Sequence, residues 1–233
     1  MWLLTLYHTW FDFPIFLSPI NCITTNDEIS SSVFTFFSTD DIMGIQRRTE
    51  PLMDNPMKEA EVSLRVAIYY ITNNLTSEDV IVSLDGAHIK TKDTVHFKIF
   101  DFMKAQRFNK VNDDYTRWQG EYINERYGQK IVVIAKSGVG DIKITLNDGK
   151  TLFVESKKGV NKKGNPEYPL LREAIGQLVT NENYSEKIVS AVAVPYCDKT
   201  YSLAEKWSKL APMKMLGIQF ILVKKDGTIV YVK

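Results

Sequence analysis

The sequence has only two cysteines and three histidines in 233 residues. Cys22 and Cys197 show no metal-ligand spacing and no disulfide framework, which points to a reducing, cytoplasmic compartment. His8, His88 and His96 are scattered, so no zinc site is expected. Neither charge sign is in excess: 29 basic and 28 acidic side chains leave a net +1, so any basic footprint for nucleic acid must be local. A long hydrophobic run is also missing. The most apolar stretch, "MWLLTLYHTWFDFPIFLSPI", is interrupted by His8, Asp12 and Pro14 and falls short of the ~18–20 residues a membrane span requires. It lacks the basic start and small-residue cleavage site of a signal peptide, so no membrane partner is expected. There is no internal repeat and no low-complexity tract.

What is there is ordinary globular material, 44% hydrophobic and 24% charged, with room for a sizeable core. Charge is distributed unevenly. Residues 1–56 hold two basic and seven acidic side chains, net −5, leaving 27 basic and 21 acidic, net +6, for the rest. Met53 and Met57 both precede the first strong helical pattern. Residues 1–56 therefore read either as an extension upstream of the folded protein, from an over-long start, or as a poorly ordered or partner-binding arm.

Periodicity divides the remainder into a small α/β unit, 57–115, and a second unit, 116–233. In the first, "MKEAEVSLRVAIYYITNNL" sets Val62, Val66, Tyr69 and Tyr70 on one helical face. "DVIVSLDGAHIKTKDTVHFKIF" alternates as a hairpin, and "FDFMKAQRF" reads as helix. In the second, "YTRWQGEYINERYG" reads as a helix stopped by Gly128 and "QKIVVIA" as a strand. A hairpin follows at 140–159, then a helix entered through Pro169 and the buried strand "IVSAVAVPY". A helix capped by Ser202 and Glu205 comes next, and a last hairpin turns at Asp226–Gly227. The predicted order of this unit is α-β-β-β-α-β-α-β-β, a mixed sheet with helices packed on it.

The hairpin "GDIKITLNDGKTLFVESKKG" carries polar residues at its open end. Its "NDG" suits a three-residue turn with Gly149 in the left-handed position, which pairs Leu146 with Lys150 and sets Asp141 opposite Glu155. Alternation puts Lys157 on the same side as Glu155, with Leu152, Val154 and Ser156 on the other. Facing residues have Cβ atoms ~5 Å apart. Two carboxylates that close repel unless one keeps its proton or a cation lies between them, and hard oxygen ligands suit Mg²⁺. A lysine beside such an ion favours deprotonation of bound water and steadies charge on a phosphate.

The pattern "GD", thirteen residues, "ESK" resembles the PD-(D/E)xK, or restriction-endonuclease-like, nucleases, whose core is α-β-β-β-α-β. The resemblance spans about residues 116–224, with Gly140 standing where the motif's proline is usual. It implies Mg²⁺-dependent cleavage of DNA, with Mn²⁺ able to substitute. In that scheme Asp141 and Glu155 are metal ligands and Lys157 assists the attacking water. Members often add a glutamate from the preceding helix, here Glu121 rather than its neighbour Glu125, and a glutamine from the following helix, here Gln177. Asn181 stands where some members have a tyrosine. Residues 130–163 hold eight basic and three acidic side chains, and Lys158, Lys162 and Lys163 are the expected DNA contacts. Trp118, Tyr122 and Tyr127 read as core. The alternatives are a structure-selective nuclease of the Holliday-junction-resolvase kind, usually a homodimer, and a nucleic-acid-binding module without catalysis.

Overall fold

Alternation along the strands and a wide apolar stripe on the first helix build one large mixed sheet with helices on both faces. The computed structural model describes residues 56–112, 114–136, 140–160, 167–180 and 185–233. Residues 1–55 lie outside the described residues, and with them all of the expected extension except Pro56. Helix α1 (Glu59–Thr72) places Glu59 and Glu61 in its first turn, where the helix dipole favours carboxylates. It ends at Asn73, followed by Asn74 in the left-handed region. Strand β1 (Val80–Ser83) leads to a short helix α2 (Gly86–Ile89). A two-stranded hairpin, β2 (Lys90–Thr91) and β3 (Thr94–Val95), and helix α3 (Ile99–Ala105) come next. Strands β4 (Asn109–Lys110), β5 (Gly120–Ile123) and β6 (Lys130–Ile134) follow, then the hairpin β7 (Ile142–Thr145) and β8 (Thr151–Ser156). Helix α4 (Glu167–Val179), strand β9 (Ile188–Pro195), and helices α5 (Asp198–Ser208) and α6 (Ala211–Leu216) precede the final pair, β10 (Gln219–Val223) and β11 (Ile229–Val232).

Among the described residues nine strands form the main sheet, in the order β11-β10-β9-β8-β7-β1-β6-β5-β4. Strands β8, β9 and β10 run parallel, as do β1 and β6, while β7 is antiparallel to both β1 and β8. Alternation sorts the core into two layers. Ala191, Ala193, Ile221 and Val223 join Ile142, Ile144, Leu152 and Val154 in the cluster that includes α1 residues Val62, Leu64, Val66 and Ile71. On the opposite face Val192, Val194, Phe220 and Leu222 pack with Leu171, Ala174 and Leu178 of α4 and Trp207 of α5. At about 1.5–3 kcal/mol for each fully buried Val, Leu, Ile or Phe, these two layers fix the register of every central strand.

Several expectations change. The helix expected over 115–128 is not formed: residues 120–123 are strand β5, paired antiparallel with β6. Gly120 adopts φ +138°, outside the range open to other residues, and a Cβ there would lie 2.7 Å from the Lys110 side chain. Tyr122 is buried and donates its hydroxyl to the Trp118 carbonyl oxygen at 2.7 Å, anchoring the strand. Pairing with β6 outweighs the helical spacing of the aromatics. The boundary at 115 also fails as a division, because β1 lies between β6 and β7 in one sheet. The hairpin expected over 79–100 is instead β1, which enters the main sheet, followed by the separate small pair β2–β3. Helix α5 begins a turn earlier than expected, capped by Cys197 and Thr200 rather than by Ser202 and Glu205. The closing hairpin forms as read, with Gly227 at φ +88°.

Candidate functional site

The 140–159 hairpin has the expected register. Pairs run from Ile142 with Val154 to Thr145 with Thr151, and Leu146 N–H donates to the Lys150 carbonyl oxygen at 2.8 Å. Gly149 sits at φ +79°. Continued by one residue, this register sets Asp141 opposite Glu155. The chain enters through Gly140 at φ +74°, where a Cβ would lie 3.4 Å from the Val154 carbonyl oxygen, a backbone that glycine adopts without strain. The Asp141 backbone is held on both sides. Its N–H donates to Val154 (2.9 Å) and its carbonyl accepts from Ser83 N–H of β1 (2.7 Å).

Because β7 runs against β1 and β8, the start of β7 lies at the same end of the sheet as the ends of β1 and β8. A cleft of about 680 Å³ opens there. It contains Asp141, Glu155, Lys157 and Lys158 from the hairpin, Glu59 from the first residue of α1, and Glu173 and Gln177 from α4. Asp85 at the start of α2, His88 within it and Lys136, just beyond β6, complete the charged wall.

The electrostatics follow from burial. Asp141 accepts a hydrogen bond at Oδ2 from Ser156 N–H at 2.7 Å. Burial, then the Glu155 charge, nevertheless push its carboxyl up to about 8. Burial also raises Glu155; Lys157 opposes the rise, and Glu59 and Glu173 add to it. Lys157 is only 5% exposed and donates from Nζ to Glu155 Oε1 at 3.0 Å, with Glu173 Oε1 at 3.3 Å. Its burial disfavours the ammonium, but Glu155, Glu59 and Glu173 outweigh that, and the net shift is upward. Lys157 therefore stays charged, while the two facing carboxylates lack enough positive charge to ionise together.

That imbalance is the test of fit for a cation. Asp141 and Glu155 each keep one carboxylate oxygen beyond those bonded to Ser156 and Lys157. Mg²⁺ is held through one or two carboxylates and several waters, a demand these two groups meet. Among the described residues no group of three or more His, Cys, Asp or Glu side chains is gathered closely enough to bind a metal by itself. Any ion here would therefore keep much of its water.

Glu121 is not brought to this cleft. It lies on β5, with β1 and β6 between it and β7, and pairs instead with Lys130 Nζ at 2.8 Å. Adjacent strands are ~4.8 Å apart, which leaves Glu121 on the order of 14 Å from the hairpin. Gln177 does line the cleft, one helical turn beyond Glu173, and Lys158 lines it as an exposed side chain. Lys162 and Lys163 lie outside the described residues.

No family model, curated protein or solved structure matches the chain. What the site can do is read from its own chemistry.

Five titratable groups of the cleft, Glu59, Asp85, His88, Lys136 and Glu173, were not assigned to the site from the sequence. Glu59 opens the first strong helix, and its place at that helix start was the available signal. Glu173 and Lys136 gave none, since exposed charges on a helix and after a strand are commonplace. His88 belongs with them, its Nδ1 lying 3.4 Å from Glu59 Oε1.

Proposed function

We propose that this chain is a metal-dependent nuclease that hydrolyses DNA phosphodiester bonds. The observation that carries the reading is the convergence of Asp141, Glu155 and buried Lys157 at one end of a hairpin, in a cleft large enough for a phosphate and its flanking sugars. The order of elements supports it. Taken in chain order, α1, β1, β7, β8, α4 and β9 give α-β-β-β-α-β with the four strands adjacent in the sheet, and residues 86–134 stand as an insertion between the first two strands. This is the order of the restriction-endonuclease-like core that the Asp…Glu-x-Lys pattern resembles. In this frame Glu59, on the helix before the first strand, takes the place expected of Glu121.

A divalent cation held by Asp141 and Glu155, Mg²⁺ or Mn²⁺, would act as a Lewis acid on the phosphate and on a bound water. Lys157 carries a fixed positive charge next to that point, stabilising charge that develops on the phosphate oxygens. Glu173 holds the lysine from the α4 side. Lys136 and Lys158, exposed on the cleft walls, bind phosphates on either side of the scissile one. Gln177 presents an amide at the rim that can donate to substrate.

Plasmid nicking is the test. Cleavage should require Mg²⁺ or Mn²⁺ and stop with excess chelator, with Ca²⁺ supporting binding better than turnover. Full activity in excess EDTA would falsify the two-carboxylate site.

A further inference from the structure

The β2–β3 hairpin does nothing for the core. Every residue from Lys90 to His96 is exposed, yet a two-stranded pair this short is marginal by itself. Its order comes from its root. His96 N–H donates to the Ile89 carbonyl at 2.8 Å, Thr91 Oγ1 donates to the Ala87 carbonyl at 3.2 Å, and His96 Nε2 lies 3.1 Å from Thr91 Oγ1. Below it Ile89 and Ile99 are buried. A small element is thus held out from the surface on a fixed base.

Its tip is strained in an unusual way. Lys92 stands at φ +52°, a position in a two-residue turn where glycine or asparagine sits without penalty. A lysine there costs about 1 kcal/mol or more. The chain keeps a long cation where the backbone alone would favour a small residue, and a second one, Lys90, at the base of the same hairpin. Asp93, next to Lys92 in the turn, is the one carboxylate from Lys90 to His96.

The hairpin also stands next to the cleft. Gly86 and His88 of α2 line it, and Lys92 is four residues beyond His88, so its Cα lies within about 14 Å of the wall. Duplex DNA carries one charge per ~1.7 Å of axis, so a duplex seated at the cleft brings several phosphates into that range. No aromatic side chain is present between Lys90 and His96 to stack on an unpaired base. Lysines and threonines are phosphate-binding groups.

We infer that the β2–β3 hairpin is a duplex-DNA contact, with Lys90 and Lys92 gripping phosphates beside the cleft. The inference rests on the nuclease reading. It is tested by fluorescence anisotropy of a short labelled duplex in Ca²⁺, across a salt series, using the full chain. Lys92→Gly relieves the backbone strain, so a Lys90→Gln/Lys92→Gly variant should melt no lower than wild type. It should bind the duplex roughly tenfold more weakly at low salt, with a log–log salt slope shallower by about 2. Lys92→Asn, which also tolerates the left-handed backbone, should show about half that loss of slope. Single-stranded DNA of the same sequence should be affected much less. Unchanged duplex affinity and slope would overturn the inference, as would an equal loss on single strands. A wild-type protein that cleaves DNA while the variant binds normally sinks the hairpin alone. A wild-type protein with no salt-dependent DNA binding sinks the nuclease reading with it.

Discussion

Asp141 is the residue whose protonation the account depends on. Burial and the Glu155 charge raise its carboxyl to about 8, against about 3.9 in an unfolded chain. The folded state therefore holds a proton across that window that the unfolded state releases. The resulting stability is present below about 3.9 and lost as pH rises through about 8. A cation that binds the ionised pair acts in the opposite sense. The melting-temperature increase caused by Mg²⁺ should accordingly be larger at about pH 8 than at about pH 5.5. Asp141→Asn should abolish the Mg²⁺ increase and, without metal, melt higher than wild type at the alkaline end. Parallel melting series with and without Mg²⁺ check this, and a metal shift that is the same at both pH values would contradict it.

Among the elements, the β7–β8 hairpin sets the site and its turn sets the hairpin. A Cβ on Gly149 would meet nothing within 4 Å, so the penalty for a side chain there is conformational only. Gly149→Val should cost about 1–2 kcal/mol and reduce cleavage as Glu155 loses its register with Asp141, whereas Gly149→Asn should be close to wild type. Chemical denaturation with a nicking assay separates the two variants. A second comparison distinguishes the two helix-start candidates: Glu59→Gln should lower the cleavage rate, on the order of tenfold or more, and Glu121→Gln should leave it unchanged. Equal effects would contradict the placement of Glu59 in the site. The register of 140–159 was legible in the sequence because a short turn with a left-handed glycine and strict alternation are local signals. The helix start at Glu59 was visible, but its place in the site was not, since that depends on β1 pairing with β7 across nearly sixty intervening residues. Tyr115, Trp118 and Tyr122 have helical spacing, and only the need of β6 for a partner strand turns 120–123 into β5.

For the whole molecule, the sheet joins what composition divides. Residues 57–115 and 116–233 read as two units because a polar break separates two periodic runs, but β1 completes the sheet between β6 and β7. The described fold reaches back to Met57, which is 3% exposed and accepts from Gly159 N–H at 2.9 Å. A chain that begins at Met53 should keep its melting temperature and cleavage rate. It lacks two basic and six acidic side chains of the full sequence, so its DNA binding at low ionic strength should be equal or tighter. A chain that begins at Met57 should melt lower, because a charged terminus would replace the peptide group beside Gly159, where Met57 N lies 3.3 Å from a Cβ built on that glycine. Melting curves and gel filtration of the two chains decide it, and a large loss of stability on starting at Met53 would contradict the account.

The central claim is that Asp141, Glu155 and Lys157 perform chemistry rather than hold the fold, and single-turnover cleavage of duplex DNA in Mg²⁺ tests it most directly. Lys157→Met keeps the alkyl stem in its buried place and removes only the ammonium. The variant should fold, bind duplex DNA within a few-fold of wild type through the exposed lysines, and cleave at least ~100-fold more slowly, the scale of losing one charge-stabilising group in a site. Cleavage by the folded variant at the wild-type rate would contradict a chemical role for Lys157 and with it the proposed site, and a wild-type protein that cleaves no DNA under these conditions would overturn the nuclease reading.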